Sequence, residues 1–142
     1  MKTSIKKTKA KMKTMAKKFS GFTIIELMIV VMIVAILLSL AYPSYVQYVR
    51  KAKRGEAQQL LLNWAINQEI WRSNNTAYTD TLVPTHDDYT FEASNVGAAT
   101  YTLTATAASG NDQLKDVARD GTSCTPLTLT QAGAKTEVVC WD

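Results

Sequence analysis

Glu26 is the side chain whose placement asks for an explanation. It stands at the head of a stretch in which no charged residue occurs from Leu27 to Val49, 23 residues in all. A run of that length crosses the hydrocarbon core of a bilayer as a helix. An acid inside such a helix costs roughly 2.5 to 3.5 kcal/mol on insertion scales, so it implies a functional partner. If the chain is cut between Gly21 and Phe22, Phe22 carries a free α-amino group, cationic near neutral pH with a usual pKa of about 7.7 to 8.0. Along one straight helix that amine is poorly placed for its own Glu26, whereas a neighbouring subunit displaced along the axis brings its Glu26 alongside. The pair then sets an axial register between chains.

The residues around this site resemble the type IV pilin signature. The match comprises the basic leader ending Lys17-Lys18-Phe19-Ser20-Gly21, the run Phe22-Thr23-Ile24-Ile25-Glu26-Leu27-Met28-Ile29-Val30-Val31, and Pro43. The resemblance implies that Gly21 is the prepilin peptidase site, that Phe22 becomes an N-methylated first residue, and that Glu26 is needed for assembly. Looser matches at Arg54-Gly55-Glu56-Ala57-Gln58, Asn74-Asn75-Thr76-Ala77-Tyr78 and Val139-Cys140-Trp141 look like minor pilins of the PilE type.

The implied fold is α+β: the type IV pilin fold, a long kinked N-terminal α-helix packed on a small antiparallel β-sheet head. The implied organisation is a cleaved leader at 1–21, a hydrophobic transmembrane and filament-core half-helix at 22–49, an amphipathic half at 50–72 and a globular head at 73–142. Expected partners are other pilin subunits, the prepilin peptidase and methyltransferase, and an inner-membrane assembly platform. The expected location is the bacterial inner membrane as a single pass before assembly, and an extracellular pilus afterwards.

Charge supports the orientation. The chain has 142 residues and a formal net charge of +4. Eight of its 16 basic residues are lysines within residues 1–20, which hold no acid; the other eight stand against 12 acidic residues, leaving about −4. The basic balance therefore belongs to the leader, and a nucleic-acid reading built on it fails. Basic flanks are retained in the cytoplasm, which places the N-terminus inside despite the opposing cluster Arg50, Lys51, Lys53 and Arg54. A secretory signal places its cleavage site after the apolar run; here the cut precedes it, and the run is kept. Met12 and Met15 offer alternative starts, the latter giving the compact leader Met15–Gly21.

Pro43 cannot donate to the carbonyl of Ser39 and crowds that turn, which predicts a kink or loosening over 39–43. From Phe22 to Trp71, 50 residues span about 75 Å if helical throughout. In the outer half, Ala57, Leu60, Leu61, Trp64 and Trp71 form one stripe suited to holding the sheet. Leu62, Ile66 and Ile70 lie on nearly the opposite side, available for neighbouring subunits or for a local loop. Ser73-Asn74-Asn75-Thr76 ends the helix.

Short β segments are predicted at Tyr89-Thr90-Phe91, Tyr101–Ala105, Leu127–Thr130 and Glu137–Trp141. Gln131–Ala134 is the turn of a hairpin between the last two. Ala107–Gly121 reads as a surface loop with Asp112, Asp116 and Asp120 solvated, and His86-Asp87-Asp88 as a solvated turn. Cys124 and Cys140 are the only cysteines; outside the membrane a disulfide is expected, with a reactive thiol or a metal pair as weaker alternatives. In pilins, such a C-terminal loop is similar in position to the disulfide-bounded surface region.

No nucleophile with a base, phosphate loop or zinc spacing emerges, so no enzyme, cofactor or metal is expected. The reading is a structural subunit of a type IV pilus, a minor pilin taking part in assembly initiation and supporting twitching motility, adhesion or DNA uptake. The alternatives are a major pilin or a type II secretion pseudopilin. Direct DNA binding through Arg50, Lys51, Lys53 and Arg54 is disfavoured, because a membrane or filament surface accounts for the same cluster.

Overall fold

The structure is a computed structural model describing residues 21–141. Most of the expected leader, with the alternative starts Met12 and Met15, lies outside the described residues. The chain divides into two compact units, one ending at Leu37 and the other running from Leu38. Helix α1, Ile24–Asn74, contributes to both.

In the first unit the helix is started by Thr23. Its hydroxyl Oγ1 accepts a hydrogen bond from the Glu26 amide at 3.2 Å, and its carbonyl accepts from the Leu27 amide at 3.2 Å. Thr23-Ile24-Ile25-Glu26 has the Ser/Thr-x-x-Glu order of a capping box, in which the first residue satisfies an orphan amide of the first turn. Every residue from Gly21 to Leu37 is exposed. An apolar helix face so large is stable only when membrane or protein covers it.

In the second unit α1 continues through Pro43. Its buried stripe is Arg54, Ala57, Leu61, Trp64 and Gln68, alternating three- and four-residue steps on one face. This differs from the predicted stripe. Leu60 is only half-buried and Trp71 is exposed, while Arg54 and Gln68 take the flanking positions. Gln68 is tolerated because both ends of its amide are paired: Nε2 donates to the Thr79 carbonyl at 2.7 Å and Oε1 accepts from the Thr79 amide at 3.0 Å. The end of α1 is closed by Arg72, whose Nε donates to the Ala98 carbonyl and whose Nη1 donates to the Asn75 carbonyl.

The sheet consists of β1 (Tyr89–Ser94), β2 (Thr102–Ala107) and β3 (Leu127–Thr130), antiparallel in the order β1-β2-β3. Tyr89 stands opposite Ala107, and Leu103 opposite Leu129. Leu103, Ala105 and Leu127 are fully buried with Ala57, Leu61 and Trp64 in one core. Trp64 also meets the edge of Phe91 at 6.4 Å between ring centres.

The fourth predicted strand does not form. After β3 the chain turns at Gly133, whose φ of +77° favours glycine, and a single bridge joins Leu129 to Lys135. Residues 138–140 then make a 3-10 turn. Val138 and Val139 are both exposed and only Cys140 is buried. Strand alternation is overridden by the Cys124–Cys140 disulfide, with Cα atoms 5.5 Å apart, and by Gln58, whose Nε2 donates to the Cys140 carbonyl at 2.6 Å.

Candidate assembly site and the charged clasp of the head

At the start of α1, Phe22 is 85% exposed and precedes the capping residue Thr23. Glu26 is in the first turn of the helix, where its charge opposes the positive end of the helix dipole. The sequence reading missed the capping role of Thr23, although the Thr-x-x-Glu spacing carries that signal.

Along the outer half of α1, Leu62, Ile66 and Ile70 are 43%, 57% and 59% exposed. These three side chains therefore lie outside the core of the second unit. They form an apolar row on the face of α1 turned away from Leu61 and Trp64.

The basic cluster after the apolar run is taken up largely within the head. Arg50 holds Asp112 through two contacts, Nε to Oδ2 at 2.8 Å and Nη2 to Oδ1 at 2.9 Å. Lys53 Nζ reaches Asp88 Oδ1 at 2.8 Å. Arg54 Nη1 reaches Asp116 Oδ2 at 3.1 Å, with side chains only 6% and 4% exposed. Thus Asp112 and Asp116 are not simply solvated, as the loop composition suggests, but clasp a 3-10 turn at Asp112–Lys115 onto α1. Gln113 adds neutral bonds, its Nε2 donating to the Arg50 carbonyl at 3.0 Å and to Tyr89 Oη at 2.9 Å. Asp120 remains on the surface, accepting from the Thr122 amide. The His86-Asp87-Asp88 turn is likewise engaged: His86 Nδ1 accepts from the Asp88 amide and its Nε2 lies 3.2 Å from Glu56.

The protonation energetics follow from these partners. The Lys53 ammonium beside Asp88 holds its carboxyl below the usual range, and Arg50 does the same for Asp112. Burial pushes Asp116 upward, and Arg54 pulls it only part of the way back. Burial also pushes the Tyr89 phenol up to about 12, so it stays a neutral hydrogen-bonding group. Among the described residues no group of His, Cys, Asp and Glu has an arrangement that could hold a metal ion.

A family model described as "Type IV minor pilin ComP, DNA uptake sequence receptor" matches residues 43–128, and a second, "Prokaryotic N-terminal methylation motif", matches residues 16–42. The chain belongs to the type IV pilin family. Among curated relatives, this pilin is 41% identical over 64 residues to a fimbrial protein of Neisseria meningitidis, covering 40% of the chain and 38% of the relative. It is 38% identical over 60 residues to the type IV major pilin protein PilA of Myxococcus xanthus, covering 42% and 27%. The pilin therefore spans less than two fifths of these relatives' length. A broader match, 29% identity over 120 residues, joins it to fimbrial protein EcpC of Eikenella corrodens, covering 72% of the chain and 74% of that protein. The solved structure of a type IV pilin from Shewanella oneidensis superposes with a TM-score of 0.51 at 22% identity, covering 66% of this chain and 98% of that one. That likeness supports the fold, one long helix with an antiparallel sheet. The family and fold are those of structural subunits.

Proposed function

We propose that this pilin is a minor subunit of a type IV pilus that supports DNA uptake. The observation that carries the reading is the match of residues 43–128, more than half of the chain, to the family described as a minor pilin and DNA uptake sequence receptor. In this reading the prepilin peptidase cuts between Gly21 and Phe22, the new amine of Phe22 is methylated, and Glu26 of one subunit receives the amine of the next. The helix from 22 to 49 holds the subunit in the inner membrane until assembly. Pro43 supplies a kink that lets the helix change its packing between membrane and filament, and Leu62, Ile66 and Ile70 meet neighbouring subunits. Three of the four cations of the α1 cluster are not the basis for a role in DNA uptake, because Arg50, Lys53 and Arg54 are each engaged by a carboxylate.

The test is deletion of the gene in the native cells, complemented by the wild-type copy. Transformation by added DNA should fall while filaments persist on the surface. Loss of the filaments themselves would overturn the minor role and favour a major pilin. That second reading is supported by relatives named as type IV major pilins, such as PilE1 of Neisseria gonorrhoeae, 41% identical over 64 residues. Unchanged transformation with normal filaments would remove DNA uptake from the account.

A further inference from the structure

The charged groove beside the end of the apolar run is not used in the function proposed above. It lies between α1 residues 44–54 and the loop 115–121, with a volume of about 850 Å³. We propose that it binds the phosphate of an anionic lipid headgroup while the subunit waits in the membrane. The proposal rests on placing the outer edge of the hydrocarbon at Tyr42, the end of the apolar run within the 22–49 membrane half of the helix, and is independent of the role in DNA uptake.

Charge is the first observation. Arg50, Lys51, Arg54, Lys115 and Arg119 line the groove, as do Asp116 and Asp120. Adding Asp112, which holds Arg50 at 2.8 Å and Lys115 at 3.5 Å, gives five cations against three carboxylates and leaves two positive charges uncompensated. Among the described residues the ion pairs leave Asp120 to the Thr122 amide, while Arg50 and Lys115 share Asp112. Arg50 and Arg54 are paired with Asp112 and Asp116, whereas among the described residues the side chains of Lys51 and Arg119 form neither an ion pair nor a hydrogen bond. They come from opposite walls, Lys51 from α1 and Arg119 from the loop that turns back at Gly121. Two free cations facing one open groove suit a phosphate.

Position is the second observation. A helix rises 1.5 Å per residue, so Ser44 is about 3 Å and Lys51 about 14 Å along α1 beyond Tyr42, the last residue of the apolar run. The polar layer of a leaflet is roughly 5 to 8 Å thick beyond the hydrocarbon. Ser44 to Gln47 therefore fall within it and the Lys51 backbone about 6 Å outside it, roughly the length of a lysine side chain. Side chains on a helix tilt toward its N-terminus, which leans a lysine at position 51 back toward the headgroups. Tyr42, Tyr45 and Tyr48 are 69%, 67% and 74% exposed along the same stretch, and Tyr48 lines the groove. Exposed tyrosines clustered at the end of a span are the mark of a membrane interface. This placement favours a lipid phosphate over the phosphates of a nucleic acid, which would have to be threaded against the membrane surface.

The full chain, purified in a neutral detergent, is mixed with phosphatidylglycerol or phosphatidylcholine and the retained lipid is counted by native mass spectrometry. The wild type should keep phosphatidylglycerol and not phosphatidylcholine. The double variant Lys51→Gln/Arg119→Gln should lose about tenfold or more of the bound anionic lipid, because each basic residue near a charged surface contributes substantially to the attraction. Lys51→Glu alone, at an exposed helix position, should shift retention the same way. Lys135→Gln, a cation outside the groove that lies over Trp141, should bind as the wild type does. Near-ultraviolet circular dichroism checks that the variants remain folded. Equal retention of the two lipids, or of phosphatidylglycerol by wild type and double variant, would overturn the proposal. Displacement of the lipid by an equal concentration of inorganic phosphate would make it a free-phosphate site, and displacement by a short DNA duplex a nucleic-acid site.

Discussion

The buried Arg54–Asp116 pair shows how single side chains hold the head to its helix. Two charges so far from water are tolerated because each compensates the other at 3.1 Å, and removing one leaves the other uncompensated at a cost of about 3 to 5 kcal/mol. Arg54→Met should therefore lower the melting temperature of the head far more than Lys51→Met on the exposed face, as measured by circular dichroism. Equal effects would show that the pair contributes little. The pH dependence has a definite sign. Asp88 and Asp112 have lowered native pKa values, so their stabilisation is present above the unfolded carboxylate pKa and is lost as pH falls through the native one. Asp116 is raised, so its own titration favours the fold at low pH and weakens that support as pH rises. With Asp120 also lowered by the Thr122 amide, three lowered carboxylates against one raised predict a net loss of stability on acidification in urea unfolding, and Asp112→Asn should flatten the slope. A slope unchanged in that variant would remove Asp112 from the account. At the other end of the chain, Glu26→Ala should leave cleavage after Gly21 intact and block incorporation into filaments. Normal incorporation would end the register argument.

At the level of elements, the second unit is organised by one helix face and a three-stranded sheet, and the outward row of Leu62, Ile66 and Ile70 is not required to close its core. Replacing these three with serine should shift the melting temperature only slightly while reducing the amount of subunit in sheared filaments; a collapse in melting temperature would return the row to the head's own core. The three strands were legible because Thr alternates with Tyr and Phe in β1 and with Leu or Ala in β2 and β3. The fourth was misread because Val138-Val139 carries strand propensity while the disulfide and Gln58 impose a 3-10 turn. Arg54, Gln68 and Asp116 were missed as core residues for a related reason. A polar side chain is buried only when partners distant in sequence satisfy it, and Arg54 and Asp116 stand 62 positions apart. The Thr23 cap, by contrast, is local and was readable.

For the whole molecule, two demands meet in one chain: a helix start apolar enough for a membrane, and a head whose charges are mostly settled internally. From Phe22 onward the side chains sum to about −4, so the subunit's behaviour rests on where its few free cations and apolar rows are placed. The central claim is that this pilin is cut before Phe22, methylated there and built into a filament in small amount. Quantitative mass spectrometry of filaments sheared from the native cells tests it most directly. The account predicts a peptide beginning with methylated Phe22, at trace level beside a dominant pilin. A chain found only in the membrane with Gly21 and Phe22 still joined would contradict it, and a dominant methylated peptide would contradict the minor role.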